Sequence, residues 1–136
     1  MTKVMVVDDD PDVILILKRV LSRHGYDVTG ARGNECLKKV SEERPDIIFL
    51  DVMMRGMSGW EVCKKIKKDS STSSIPVSML TVRKSEKDIK KSLDSGADKH
   101  LGKPINFKEI LMTIRDLLEF DKLDAEKVIE GGCAGG

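Results

Sequence analysis

Asp8-Asp9-Asp10, Asp51, Thr81 and Lys103 each close, or closely follow, a short strand-length run. Val4-Met5-Val6-Val7 leads into the first acids, Ile47-Ile48-Phe49-Leu50 into Asp51, and Pro76-Val77-Ser78-Met79-Leu80 into Thr81. The brief run Asp98-Lys99-His100-Leu101 comes just before Lys103-Pro104. Short apolar runs bounded by turn residues read as buried strands of a parallel sheet. In such a sheet the carboxyl ends share one edge, where ligands and chemistry are found. Carboxylates gathered there repel, and a hard divalent cation relieves the repulsion. Mg²⁺ takes a few carboxylates with waters and phosphate oxygens rather than a closed protein cage. A lysine and a hydroxyl nearby suit a phosphoryl group. A carboxylate can itself be the nucleophile and become an aspartyl-phosphate, with the metal neutralising the developing charge. Alone, Asp51 is either such a functional group or a cap for the loop after its strand. The acids, the hydroxyl and Lys-Pro on successive strand ends are together a strong signal.

The elements that must position these groups alternate along the chain. After the first strand, Pro11 and the acids suit a helix start. Val13, Ile14, Ile16, Leu17, Val20 and Leu21 recur at helical spacing, and Gly25 is the expected left-handed stop. Residues 26–30 read as a second strand. Asn34 is the expected cap of a helix over 35–43, with Leu37 and Val40 inward. A third helix runs from Ser58 to Lys68 with Val62, Cys63 and Ile66 on one face. Cys63 there is expected to be a small core residue. A weaker fourth helix over 85–95 is expected to turn Ile89 and Leu93 inward and to stop at Gly96. Asn106 caps a final helix carrying Ile110, Leu111, Ile114, Leu117 and Leu118. Five alternations argue for an α/β fold, a parallel sheet with helices on both faces. Beyond it, residues 121–136 are expected to form a helical extension with Leu123, Val128 and Ile129, ending in a flexible Gly-rich tail with Cys133.

The totals exclude several classes. With 136 residues, 40% apolar and 35% charged, the chain is one globular domain with a real core. A net charge of +1 argues neither for nor against nucleic acid, and 4% aromatics leaves few rings for stacking on bases. No apolar run approaches about 18 residues, so no membrane span is expected. The acidic start is unlike a signal peptide. Cys36, Cys63 and Cys133 form no metal-spaced set, so a reduced cytoplasmic setting is expected.

Over about residues 3–119 the chain resembles the receiver domain of two-component response regulators, of the single-domain chemotaxis-regulator kind. The matching segments are Val6-Val7-Asp8-Asp9-Asp10-Pro11, residues 45–54, Met57-Ser58-Gly59-Trp60-Glu61, Ile75-Pro76-Val77-Ser78-Met79-Leu80-Thr81, Gly96-Ala97-Asp98 and Lys103-Pro104. The resemblance implies a flavodoxin-like, doubly wound five-stranded parallel sheet in the order 2-1-3-4-5, within a receiver domain over residues 1–120. It implies that Asp51 accepts a phosphoryl group from a sensor histidine kinase or phosphotransfer protein. Asp8, Asp9, Asp51 and the Met53 backbone carbonyl would bind Mg²⁺, Asp9 directly and Asp8 mainly through water. Thr81 would hydrogen-bond a phosphoryl oxygen and Lys103 would pair with it. The bond before Pro104 would be cis. Phosphorylation adds roughly −1.5 to −2 charges. Thr81 would follow them, and a switch residue on the fifth strand would turn inward. A downstream protein would then read the face made by the fourth helix, fifth strand and fifth helix. The chain would be a signalling domain rather than an enzyme acting on other substrates, catalysing only its own phosphoryl transfer and dephosphorylation, without direct nucleic-acid contact.

The chain departs from that family at named positions. His100 stands where a Tyr or Phe switch is usual, so a weaker or pH-dependent readout is expected. Arg55 replaces a frequent Pro, and Val82 a usual Ala or Gly. Met53 and Arg83 replace residues that often help position the attacking water, so slow loss of the phosphoryl group is expected. An Asp-nucleophile phosphatase would want an acid where Met53 stands. A dinucleotide binder would want glycines where Asp8-Asp9-Asp10-Pro11 stands.

Overall fold

In the computed structural model, which describes residues 1–119, strands and helices alternate throughout. The order is β1 (Lys3–Val7), α1 (Pro11–Arg23), β2 (Asp27–Ala31), α2 (Cys36–Glu43), β3 (Ile47–Leu50), α3 (Gly59–Lys68), β4 (Val77–Thr81), α4 (Glu86–Asp94), β5 (Lys99–Gly102) and α5 (Phe107–Ile114). A 3₁₀ turn, Gly33–Glu35, precedes α2, and a π-helical turn, Arg115–Glu119, continues α5. The strands form one parallel sheet in the order β2-β1-β3-β4-β5, as expected. Residues Leu123, Val128, Ile129 and Cys133, and the expected extension carrying them, lie outside the described residues. Among the described residues, no helix is long and apolar enough to cross a membrane.

The continuous apolar runs are explained by two cores, one on each face of the sheet. Successive side chains of a strand point to opposite faces. Met5 and Val7 therefore join Ile48, Leu50, Val77 and Met79 against α2 and α3, through Val40, Val62, Cys63 and Ile66. Val4 and Val6 join Ile47, Phe49, Leu80 and Leu101 against α1 and α5, through Leu17, Leu21, Ile110 and Ile114. Burial pushes the Cys36 thiol up to about 12, and Cys63 is raised for the same reason, so both are inert core groups.

Short-range capping fixes where the helices begin. Asp10 caps α1, accepting from the Asp12 N–H at 2.9 Å, with Pro11 in the first turn. Ser58, Ser85 and Asn106 cap α3, α4 and α5. Gly25 and Gly96 follow α1 and α4 at φ +87° and +99°, the left-handed stops the sequence calls for.

Three expectations need correction. Asn34 does not cap α2; it lies inside the 3₁₀ turn, where the Glu35 carboxylate accepts from the Arg32 N–H at 2.9 Å. The second, fourth and fifth strands each start one residue later than expected. Most consequentially, α4 does not bury Ile89 and Leu93, which are 36% and 53% exposed; it buries Asp88 and Ser92. Its inward stripe is polar because both side chains have hydrogen-bond partners there.

Candidate functional site

Parallel pairing sets the site. Val7 and Leu50 are register partners on the adjacent strands β1 and β3, so Asp8 and Asp51 emerge side by side at the carboxyl edge. The Asp51 N–H donates to the Val7 carbonyl at 3.0 Å, and the Asp8 N–H to the Ala31 carbonyl at 3.1 Å. Both carboxylates are buried, at 3% exposure for Asp8 and 6% for Asp51. Lys103 is tied to β4 through its N–H, which donates to the Thr81 carbonyl at 2.8 Å, and its bond to Pro104 is cis. Its ammonium reaches inward, 2.7 Å from Asp8 Oδ2 and 3.6 Å from Asp51 Oδ2.

The electrostatics follow from that placement. Burial, and then the neighbouring Asp8 charge, push the Asp51 carboxyl above its ordinary range; Lys103 offsets only part of this. Burial lowers the Lys103 ammonium, but the hydrogen bond to Asp8 and the charges of Asp51 and Asp8 outweigh it and hold it above its usual value. Asp9 is held low by the N–H groups of Arg55, at 2.8 Å, and Gly33, at 3.0 Å.

The sequence candidates divide into two groups. Asp8, Asp51 and Lys103 form one contact set. Asp9 is engaged with the loops after β2 and β3. Among the described residues, no three acidic, histidine or cysteine side chains converge as metal ligands. Thr81 is buried at the end of β4, with its Oγ1 accepting from the Arg83 N–H at 3.2 Å. The Met53 N–H donates to Asp51 Oδ1 at 3.2 Å, while its side chain and that of Val82 are exposed at the mouth. Asp9, Met53, Arg55, Trp60 and Arg83 help line an adjoining cleft of about 510 Å³. The donor chemistry fits Mg²⁺: the available ligands are all hard oxygens, and the buried Asp8–Asp51 pair shares one ammonium.

The roles of two participants, Gly59 and Ser92, were missed from sequence. Gly59 opens α3 directly beneath Asp51: a Cβ there would fall inside the contact radius of the Asp51 carbonyl oxygen and 2.8 Å from Val52 Cα. Ser92 accepts from the Trp60 indole N–H at 2.9 Å and contacts His100 Nδ1 at 2.8 Å. The signal for Ser92 is its polar i, i+4 spacing from Asp88, which the apolar pair Ile89 and Leu93 at the same spacing masks.

A raised carboxyl makes a stability prediction. A group that binds its proton more tightly when folded adds stability below its unfolded pKa and loses it as pH rises through the folded value. Asp51→Asn removes that loss while keeping an oxygen for the Met53 N–H. In Mg²⁺-free buffer at neutral pH, the variant is expected to gain on the order of 1 kcal/mol, about 4 °C in Tm. The gain should vanish as pH falls below about 4. Thermal melts across pH check this, and equal melting temperatures at neutral pH would contradict it.

The model of the response regulator receiver domain family matches residues 4–115. The alkaline phosphatase synthesis transcriptional regulatory protein PhoP of Bacillus subtilis is 37% identical over 124 residues, covering 90% of this chain and 51% of PhoP. The response regulator MprA of Mycobacterium leprae is 42% identical over 123 residues, 90% of this chain and 53% of MprA. The chain thus spans about half the length of these curated relatives. The solved structure of the chemotaxis response regulator CheY4 of Vibrio cholerae superposes with a TM-score of 0.81 at 34% identity, covering 87% of this chain and 99% of CheY4.

Proposed function

Since the chain belongs to the response regulator receiver domain family, we propose that Asp51 is the phospho-acceptor of a two-component phosphorelay switch. The observation that carries this reading is the single Lys103 ammonium set between the buried carboxylates of Asp8 and Asp51. An Asp51 oxygen attacks phosphorus and forms a P–O bond as the donor's P–N or P–O bond breaks. The donor is a phosphorylated sensor histidine kinase or phosphotransfer protein. Lys103 pairs with the transferred group, and Thr81 donates its hydroxyl hydrogen to a phosphoryl oxygen. Asp8, Asp9, Asp51 and the Met53 carbonyl are the residues that would hold Mg²⁺, which when bound supplies positive charge against the phosphoryl oxygens. For Asp9 this means exchanging its bonds to the Gly33 and Arg55 N–H groups. A downstream protein reads the change on the face of α4, β5 and α5, where Ile89, Leu93 and Met112 are exposed.

The test is incubation with acetyl phosphate or phosphoramidate and Mg²⁺, followed by intact mass, beside Asp51→Asn. One phosphoryl group gained only with Mg²⁺ and only in the wild type is the expected result. No gain in the wild type rejects the reading. The exposed Val82 side chain adds a prediction about lifetime. Val82→Ala is expected to speed loss of the phosphoryl group roughly threefold or more, less than about 1.4 kcal/mol of barrier. An unchanged decay rate would remove the steric explanation.

A further inference from the structure

His100 is fixed by two contacts that determine its proton positions. The Arg83 carbonyl, 2.8 Å from Nε2, can only accept, so Nε2 carries a hydrogen. Ser92 Oγ already accepts from the Trp60 indole N–H, and with a neutral imidazole it donates its own hydrogen to Nδ1. Arg83 is bonded at both ends of its backbone: its N–H donates to Thr81 Oγ1, and its carbonyl accepts from His100. Its guanidinium pairs with Asp88 at 3.0 Å and lies 5.7 Å from the Trp60 ring centroid.

From these contacts we infer that Ser92 and Trp60 are positioning residues of the switch, joined to the Thr81 hydroxyl by one hydrogen-bonded relay. It runs from the Trp60 N–H to Ser92, from Ser92 to His100, from His100 to the Arg83 carbonyl, and from the Arg83 N–H to Thr81. Movement of Thr81 toward Asp51 either draws Arg83 along, lengthening its bond to His100, or breaks the Thr81–Arg83 bond. In the first case the load passes through His100 and Ser92 to the indole on α3; in the second the relay is released at its Thr81 end. The relay rests on the phospho-acceptor reading for its trigger, but not for its existence.

A doubly protonated imidazole donates at Nδ1, so Ser92 must accept from both rings and redirect its own hydrogen. Around His100, Arg83 pairs with Asp88 on α4, Lys84 donates to the Lys103 carbonyl, Lys99 pairs with Asp116 after α5, and Lys91 lies over the Trp60 ring. The Arg83 hydrogen bond holds the Asp88 carboxyl down to about 2, so that clasp stays charged at neutral pH.

Trp60 is the chain's only tryptophan, so its indole N–H resonance and its emission report this position alone. The experiment records both in the full chain before and after acetyl phosphate and Mg²⁺, with intact mass read in parallel, for wild type, Ser92→Ala, Ser92→Thr and His100→Phe. The expected result is an indole response in the wild type that is lost in Ser92→Ala and restored in Ser92→Thr, while the phosphoryl gain by mass is unchanged in both. In unphosphorylated protein, Thr81→Ala should shift the same resonance. A full indole response in Ser92→Ala overturns the relay, as does a resonance unmoved by Thr81→Ala. A wild type that gains no phosphoryl group overturns the phospho-acceptor reading instead, leaving the Thr81→Ala arm to decide the relay.

Discussion

Gly59→Ala is expected to cost about 3 kcal/mol of stability, roughly 10 °C in Tm, and to slow acetyl phosphate labelling of the fraction that folds. The reason is space rather than backbone freedom. A Cβ on Gly59 meets backbone only: the Asp51 carbonyl oxygen, the Asp51 carbonyl carbon at 2.8 Å and Val52 Cα at 2.8 Å. None of these is the loose end of a side chain. Relief requires moving either the first turn of α3 or the peptide that carries Asp51. The Gly59 N–H also donates to the Val52 carbonyl at 2.9 Å, so the two segments are clamped together. Gly25→Ala is the control. It meets nothing within 4 Å but must hold φ near +87°, and so should cost only about 1 kcal/mol. Urea midpoints measure both. A Gly59→Ala midpoint no lower than that of Gly25→Ala would show that α3 has room to move.

Lys103→Met should have a comparable cost, with a pH and metal signature that packing defects lack. Removing one partner of a buried ion pair strands the other charge, typically at about 3–5 kcal/mol. Here the stranded charges are Asp8 and Asp51, whose side chains are 5% and 8% exposed. Asp51, already raised by burial and by Asp8, loses the cation that pulls it down. Its folded pKa rises further above the unfolded value, so the variant's deficit grows as pH increases from the ordinary carboxylate range and shrinks in acid. Mg²⁺ should restore more stability to the variant than to wild type, because a cation again faces the same oxygens. The native lysine, raised in the fold, contributes stability throughout the neutral range and loses it only as pH rises through its own raised value. Melts at two pH values, with and without Mg²⁺, decide this; a deficit independent of both would reduce Lys103 to packing.

The edge of the sheet was legible in the sequence because strand length and apolar runs identify strand ends, and parallel alternation puts those ends together. Asp8, Asp51, Thr81 and Lys103 all follow from that logic. The stripe a helix buries is less legible. Period 3.6 identifies an amphipathic helix, but α4 offers both Ile89–Leu93 and Asp88–Ser92 at the same spacing, and the apolar pair looks inward by default. Only Trp60 and His100, 32 and 8 residues away from Ser92, make the polar stripe the buried one. Arg44 was hidden for a similar reason. It ends α2 at φ +49° before Pro45, in a conformation uncommon for a side chain of its kind. Its guanidinium donates to the Ser71 carbonyl at 2.7 Å, a partner that local pattern does not reveal. Asp10, left outside the site, has its role in capping α1.

The polar seat of α4 bears on how sharply a domain like this changes state. Apolar contacts are non-directional, and a helix resting on them slides by degrees, trading one contact for another. Hydrogen bonds weaken steeply with angle and leave an unmet buried group when broken. A helix held through Ser92 and Asp88 is therefore seated or unseated, with little stable ground between. Its apolar residues lie on the outer surface and so resist neither state. On the proposed switch, α4 would act as a latch rather than a spring: small displacements at the Asp51 edge would be absorbed, and one large enough to break the seat would be transmitted whole.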